Sequence, residues 1–271
     1  MTPATSHPPS ILVVPSLAGV PHAFTTRVGG VSAPPFASLN FGNPMQLPEG
    51  VARDPAANID ENFRRVLAAI DAPARRVQQV FQIHGAAVKV YRQGEAPRER
   101  HDGVERDYKA DAIVTDDPTR VLAIRVADCA PVLLADDRGR IVGAAHAGWR
   151  GVVLGVVPAA IHAMRHLGAQ HIHAAIGPCI GPAAFEVGPE VVAEFAPRWP
   201  DSVRQHPNAE AHAQGKAMID IALALTQQLR DAGVKSVQSV GRCTFSEPNA
   251  FFSHRRDQGV TGRMVGVIGP N

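Results

Sequence analysis

The chain has 271 residues, of which 45% are hydrophobic and 19% charged, so it is long enough to bury a sizeable core. Its 27 Lys and Arg residues nearly balance its 25 Asp and Glu residues, and the small excess is spread along the chain. This distribution argues against a nucleic-acid-binding surface, and the absence of an uninterrupted apolar window of about 18 residues argues against a membrane span.

The cysteines indicate a reducing compartment. Cys129, Cys179 and Cys243 are odd in number and far apart, unlike the paired framework of a small secreted domain. The N-terminus has no basic segment followed by an apolar stretch, so we expect a cytoplasmic protein. Residues 1–9 are rich in Pro, Ser and Thr and are predicted to form a disordered tail, followed by a single domain over residues 10–271.

Apolar periodicity and turn residues predict the elements in chain order. The predicted strands are Ile11–Val14, Pro21–Thr26, Val77–Ile83, Ala86–Tyr91, Ala112–Thr115, Val121–Val126, Pro131–Ala135, Ile141–His146, His171–Ile176, Ser236–Gly241 and Arg263–Ile268. The predicted helices are Asn58–Ile70, Trp149–Leu167, Pro189–Phe195 and Ala217–Ala232. A Gly- and Pro-rich loop from Gly29 to Pro55 is long for a compact domain, which is typical of a functional loop.

Three residues at or near strand ends form a candidate metal site. His84 lies in Gln-Ile-His-Gly, Cys129 in Ala-Asp-Cys-Ala-Pro-Val and His146 in Ala-His-Ala-Gly-Trp-Arg-Gly. Each of them closes or follows an apolar strand, so the fold could bring two imidazoles and one thiolate together. Three protein ligands with an open fourth position are typical of catalytic zinc.

An alternative interpretation uses the same residues without a metal. Cys129 could be a nucleophile activated by His146, since a nearby imidazole lowers the pKa of a thiol. A Cys-His pair does not require His84, whereas a three-ligand zinc site does.

The remaining histidines are weaker candidates for metal binding. His162 and His166 are four residues apart on a predicted helix, where a solvated face is the more common arrangement. His171 and His173 form the only His-x-His pair, whereas multicopper oxidases need several such pairs. The sequence therefore argues against laccase chemistry.

Ordered motifs through nearly the whole chain resemble the laccase-domain family, also called the YfiH-like purine nucleoside phosphorylase and polyphenol oxidase family. The matching blocks are Thr-Thr-Arg-Val-Gly-Gly-Val-Ser from Thr25, Ser-Leu-Asn from Ser38, Gln-Ile-His-Gly from Gln82, Ala-Asp-Ala-Ile-Val-Thr from Ala110, Ala-Asp-Cys-Ala-Pro-Val from Ala127, His-Ala-Gly-Trp-Arg-Gly from His146, Ile-Gly-Pro-Cys-Ile-Gly from Ile176, Phe-Glu-Val-Gly from Phe185 and Phe-Phe-Ser-His-Arg-Arg from Phe251. Two positions depart from the family pattern. The stretch 43–50 lacks the usual Gly-Asp step, and His254 stands where Tyr is usual.

The resemblance implies an α+β fold, a single-domain four-layer α/β/β/α sandwich with mixed sheets, and a zinc ion held by His84, Cys129 and His146. It also implies phosphorolysis of adenosine, inosine, guanosine and methylthioadenosine, with adenosine deamination at the same site. Copper-dependent polyphenol oxidation and hydrolytic editing of peptidoglycan precursors are further activities linked to relatives. A non-catalytic metal-binding module is the remaining alternative.

We therefore expect a zinc enzyme whose partners are small molecules, purine nucleosides and phosphate, with no nucleic acid and no membrane. Arg27 and Arg150 are the candidates to hold phosphate, because each follows a strand beside glycines. Asp128 is the carboxylate nearest in sequence to a ligand, and it is the candidate proton carrier or orienting residue.

Overall fold

The computed structural model describes residues 7–95 and 105–271. The predicted tail, residues 1–9, therefore falls mostly outside the described residues. The chain's first strand begins at Ile11 and its last ends at Ile268. No helix within the described ranges is long and apolar enough to cross a membrane.

The strands are, in chain order, β1 (Ile11–Leu12), β2 (His22–Thr25), β3 (Arg76–Gln78), β4 (Val80–Phe81), β5 (Val88–Tyr91), β6 (Glu105–Lys109), β7 (Ala112–Thr115), β8 (Arg120–Val126), β9 (Ala130–Asp136), β10 (Val142–Ala147), β11 (Ile172–Ile176), β12 (Glu186–Val187), β13 (Val203–Gln205), β14 (Ala217–Ile219), β15 (Ser236–Ser239) and β16 (Met264–Ile268). The helices are α1 (Ala56–Ala69), α2 (Trp149–Leu154), α3 (Val156–His166), α4 (Pro189–Phe195), α5 (Ala209–Ala213) and α6 (Ile221–Asp231).

Two large mixed sheets form the centre of the molecule. One has five strands in the order β1-β2-β16-β8-β3, and the other has six in the order β15-β11-β9-β10-β7-β5. Neighbours are antiparallel except for β3 with β8, β15 with β11 and β5 with β7, which are parallel. Two small sheets, β12-β14-β13 and β4-β6, are not paired with either large sheet.

Three apolar cores show how the layers stack. Side chains of both large sheets meet in one core, which includes Phe24, Ile124 and Leu133. A second core joins the six-stranded sheet to α2, α3, α4 and α6, and a third joins the five-stranded sheet to α1. The predicted four-layer α/β/β/α sandwich with mixed sheets is confirmed.

Strand β9 shows why the central strands are apolar without interruption. Its seven residues are all buried, with Val132 and Leu134 facing the helices and Leu133 and Ala135 facing the other sheet. A strand covered on both faces cannot alternate apolar and polar residues, so it appears in the sequence as a continuous apolar run. Strands β9 and β10 pair in antiparallel register and form a hairpin.

The structure corrects the predicted helix Trp149–Leu167. The chain forms two helices, α2 and α3, which meet at Gly155 in the left-handed conformation with φ of 80°. Glycine adopts this conformation without the steric penalty of a side chain, so the backbone can change direction there.

The predicted helix Ala217–Ala232 is wrong at its N-terminal end. Residues Ala217–Ile219 form β14, which pairs with β12 and β13. The helix begins only after Asp220, whose carboxylate accepts a hydrogen bond from the Leu223 amide at 3.0 Å. An aspartate cap of this kind satisfies a free amide of the first helical turn.

The predicted strand Val77–Ile83 is divided. β3 pairs with β8 in the five-stranded sheet, whereas β4 pairs with β6 in a separate two-stranded sheet. This departure from the large sheet leads the chain toward His84.

Candidate metal centre and active site

His84, Cys129 and His146 converge, with their candidate ligand atoms all within 4.8 Å of one another. Strands β9 and β10 explain the meeting of two of them, because Ala130 pairs with Ala147 and Pro131 pairs with His146. Cys129 directly precedes β9, so it lies beside the end of β10. His84 comes from the loop after β4, with φ of 60°.

Gly148 lies against this cluster and leaves room for it. A Cβ atom built on Gly148 would be 2.9 Å from His84 Nδ1 and 3.0 Å from Cys129 Sγ. These distances are shorter than carbon makes to nitrogen or sulfur in ordinary packing. The glycine between β10 and α2 therefore allows the two side chains to approach the backbone.

Asp111, which precedes β7, holds two of the cluster residues in place. One carboxylate oxygen lies 2.8 Å from His146 Nδ1, and the same carboxylate accepts hydrogen bonds from the amides of Ile83, His84 and Gly85. The residue is fully buried. Since Nδ1 of His146 faces Asp111, Nε2 is the nitrogen available to a metal, an arrangement common around metal-binding histidines.

The electrostatics of the cluster favour a thiolate. Burial raises the pKa of Cys129, but the charges and hydrogen bonds of His146 and His84 outweigh it and lower that pKa to about 6. Burial lowers the pKa of His146, and the stronger attraction of the Cys129 thiolate and Asp111 raises it to about 9. Burial also raises the pKa of Asp111, while hydrogen bonds from His146 and Gly85 produce a net decrease.

The donor set suits a metal ion that accepts both sulfur and nitrogen. Zinc takes thiolate and imidazole ligands, and its catalytic sites use three protein ligands. Over the described part of the chain, this is the one group of three or more His, Cys, Asp and Glu side chains close enough to share a metal. The residues present therefore fit a single metal ion with a ligand position open to the adjacent cavity.

A cavity of about 250 Å³ opens beside the cluster. Apolar, aromatic, cationic and uncharged polar side chains line it, and the three cluster residues form part of its wall. The described lining residues are Asn43, Met45, Phe81, Gln82, His84, Arg125, Val126, Ala127, Cys129, His146, His254 and Arg263. Asn43 and Met45 belong to the long loop from Gly29 to Pro55, so that loop does contribute to the cavity.

The Asp128 carboxylate is engaged by protein groups. One oxygen accepts a hydrogen bond from the Thr244 hydroxyl at 2.6 Å, and the other accepts from the Arg255 amide at 2.7 Å. Its carbonyl accepts from the Ile180 amide, and its φ is 86°. These contacts hold the backbone immediately before Cys129 and favour the orienting role among the two predicted for Asp128.

Arg27 and Arg150 are not among the cavity-lining residues. Arg27 donates to the carbonyls of Ala37 and Pro248 and lies over the Phe252 ring. Arg150 is exposed and stacks on Trp149, 4.3 Å from the ring centroid. Neither arginine therefore contributes to the cavity lining, and their phosphate-binding role stays a prediction.

Sequence reasoning did not single out Asp111, Arg125 or Arg263, and it noted His254 only as a departure from the family pattern. A signal was present for Asp111, because an acid directly before a buried apolar strand needs hydrogen-bond partners in the interior. The two arginines had no local signal, since their position depends on the pairing of β8 with β16.

Comparisons with known proteins agree with this geometry. The model of a family described as multi-copper polyphenol oxidoreductase laccase matches residues 21–271. A protein of Deinococcus radiodurans named purine nucleoside phosphorylase is 40% identical over 262 residues, which is 96% of this chain and 92% of the relative. The Escherichia coli purine nucleoside phosphorylase YfiH is 36% identical over 255 residues, covering 94% of this chain and 95% of the relative.

A solved structure shows the same fold. The crystal structure of the Bacillus licheniformis hypothetical protein YfiH superimposes with a TM-score of 0.81 at 29% identity, and the match covers 100% of each chain. Family match, sequence identity and fold agree over nearly the whole length, and the chain therefore belongs to the laccase-domain family of YfiH-like proteins.

Proposed function

We propose that the protein is a zinc-dependent purine nucleoside phosphorylase that also deaminates adenosine. The observation that carries this proposal is the His84, Cys129 and His146 cluster at the wall of a cavity that combines an aromatic ring with cationic groups. The relatives named purine nucleoside phosphorylase support the substrate class. Adenosine, inosine, guanosine and methylthioadenosine are the proposed substrates.

Zinc would supply Lewis acidity and a nucleophilic water at neutral pH when bound to the cluster. The chain's own residues prepare this centre. Asp111 fixes the ring of His146 and the loop that carries His84, and Asp128 fixes the backbone before Cys129. Pre-positioned ligands of this kind keep the site from rearranging during the reaction.

Phosphorolysis breaks the bond between ribose C1′ and the purine nitrogen. A phosphate oxygen forms the new bond to C1′, and the electron pair of the broken bond goes to the purine. Phe81 lines the cavity, and an aromatic side chain there can pack against a purine base. Burial lowers the pKa of His254, so its neutral imidazole can donate a hydrogen bond to the base or accept one from it.

A cytoplasmic location is part of the proposal. All three cysteines, Cys129, Cys179 and Cys243, are free thiols. A reducing compartment maintains this state, and the Cys129 thiolate needed for metal binding would be lost on oxidation.

The test combines elemental analysis of the purified protein with a chromatographic assay of adenosine plus phosphate. We expect one zinc ion per chain, with adenine, ribose 1-phosphate and inosine as products. His84→Ala, Cys129→Ala and His146→Ala should each lose zinc and both activities while the far-ultraviolet circular dichroism stays the same. A zinc-loaded protein that converts no nucleoside in a broad panel would overturn the proposal.

The family description raises copper chemistry as a rival. Zinc has no redox activity, so nucleoside turnover should persist in copper-free, zinc-loaded protein. If turnover follows copper content and oxygen consumption instead, the oxidase is the correct function.

A second candidate function is a cysteine hydrolase of amide bonds, including those of peptidoglycan precursors. The contacts of Cys129 with His146, and of His146 with Asp111, resemble a Cys-His-Asp triad. Alkylation of Cys129 in metal-free protein, with amide hydrolysis measured before and after zinc addition, separates the two. A hydrolase would be active without zinc and inhibited by alkylation.

A further inference from the structure

The charge of the cavity wall is uneven. Two arginines, Arg125 and Arg263, line it, and none of the described lining residues is an aspartate or a glutamate. A cavity with this charge balance attracts anionic ligands.

The pairing of β8 with β16 brings the two arginines together. Arg125 pairs with Val265 in the antiparallel register, and Arg263 directly precedes β16, so continuing this register by one residue makes it the diagonal neighbour of Arg125. Diagonal neighbours lie on the same face of a sheet, with their Cβ atoms at most about 7–8 Å apart. Long side chains at these positions can reach a common ligand.

Gln82 and Gly42 contact Arg125, the first at its backbone and the second at its side chain. Its amide donates to Gln82 Oε1 at 2.9 Å, and Gln82 Nε2 donates to its carbonyl at 2.8 Å. The side chain lies against Gly42, where a Cβ atom would be 3.0 Å from Nη1 and 3.1 Å from Cδ. Any larger residue at position 42 would displace the guanidinium.

Arg263 is held by hydrogen bonds of its side chain and of its backbone. Its Nη1 donates to the carbonyls of Thr261 and Gly262 at 2.9 and 3.0 Å. Asn40 Oδ1 accepts from the amides of both Arg263 and Gly42. Asn40, in the long loop, therefore binds the backbone of Arg263 and that of Gly42, the residue against which the Arg125 side chain lies.

We propose that Arg125 and Arg263 form the subsite for the phosphate that attacks the nucleoside. Guanidinium groups bind phosphate oxygens through paired, charge-assisted hydrogen bonds. The proposal rests on the proposed phosphorylase function. It differs from the sequence-based assignment to Arg27 and Arg150, neither of which lines the cavity.

Kinetics of Arg125→Gln and Arg263→Gln test the subsite. We expect the KM for phosphate to rise about 10- to 100-fold in each variant, since one or two charge-assisted hydrogen bonds are lost. The KM for nucleoside, the zinc content and the rate of adenosine deamination should change less than twofold, because deamination uses no phosphate. Arg165→Gln, an exposed arginine on α3, is the matched control.

Two further variants keep the test informative if a glutamine substitution prevents folding. Arg125→Lys retains the charge but not the paired geometry, and Gly42→Ala displaces the Arg125 guanidinium without removing it. Both should raise the KM for phosphate selectively. If Arg27→Gln or Arg150→Gln raises it while these variants do not, our assignment is wrong.

Binding of inorganic phosphate separates failure of the subsite from failure of the phosphorylase function. Phosphate should raise the thermal unfolding temperature of the zinc-loaded parent, and Arg125→Gln and Arg263→Gln should abolish that increase. If the parent shows this pattern but no phosphorolysis, the subsite stands and the phosphorylase function fails. If phosphorolysis proceeds and both variants retain phosphate protection, the subsite is overturned.

Discussion

Asp111 is the residue on which the geometry of the candidate metal centre most depends. Its carboxylate accepts from the amides of Ile83, His84 and Gly85 and contacts the ring of His146. Two segments far apart in sequence are thus fixed by one buried side chain. Outer partners of metal-binding histidines contribute to affinity because they set the orientation and basicity of the ring.

We expect Asp111→Asn to weaken zinc binding about 10- to 100-fold, because the amide group keeps only one accepting oxygen. Competition with a chelator measures the affinity. Asp54→Asn is the matched control, since Asp54 is also buried but accepts from Ser32, Asn40 and Asn58 outside the cavity lining. Equal losses in the two variants would mean that Asp111 acts through general stability.

Gly148 gives a steric test of the same centre. Its backbone, with φ of −73° and ψ of 168°, is allowed for alanine, so Gly148→Ala adds a methyl group without backbone strain. The methyl group would press on His84 and Cys129. A displacement of about 1 Å in a catalytic group can reduce turnover about 100-fold.

Zinc content and turnover of Gly148→Ala should therefore both fall. Gly19→Ala is the control, because nothing lies within 4 Å of the added Cβ. Parent-like zinc affinity in Gly148→Ala would show that the two ligands can move apart without loss.

Among the elements, the break between α2 and α3 shows tertiary structure overriding helical periodicity. Both helices pack on the six-stranded sheet, with Val152, Val156 and Ile161 in one core. Apolar spacing continues across the break, which is why one helix is predicted from the sequence. Gly155 alone marks the change of direction.

The sign of the Gly155→Ala effect distinguishes a bend from a continuous helix. Inside a helix this change would stabilise by about 0.5–1 kcal/mol. At φ of 80° it should instead destabilise by about 1–2 kcal/mol, because a side chain is strained in the left-handed region. Urea unfolding measures the difference. A more stable variant would mean that the two helices join in solution.

At the scale of the whole molecule, we expect the fold to be stable independently of the candidate metal centre. The three cores lie between layers, whereas the metal cluster lies at strand ends beside an open cavity. Most of the free energy of folding comes from apolar burial, and the cluster contributes little of it.

Removal of the metal tests this separation. In chelator-treated protein, Cys129→Ala should change the free energy of unfolding by less than about 1 kcal/mol. Leu133→Ala, which opens a void between the two sheets, should reduce it by about 2–5 kcal/mol. Denaturant titration of both variants checks the contrast, and global unfolding on zinc removal would contradict it.

The amino-acid sequence by itself determined the character of the strands and the residues of the metal cluster. Apolar runs such as Pro131–Ala135 predicted the central strands, and the structure shows that this run is apolar throughout because it is buried on both faces. Thiol and imidazole groups at strand ends indicated metal chemistry, since few other side chains bind zinc. These properties belong to residue types and local spacing.

Tertiary structure alone decided which groups surround that cluster. Asp111 reaches His146 through the pairing of β7 with β10, and Arg125 approaches Arg263 through the pairing of β8 with β16. Arg27, also beside a strand end, instead contacts Ala37 and Pro248. The physical reason is that strands buried on both faces have no apolar and polar alternation to fix their register, so the fit of whole layers decides which residues lie opposite each other.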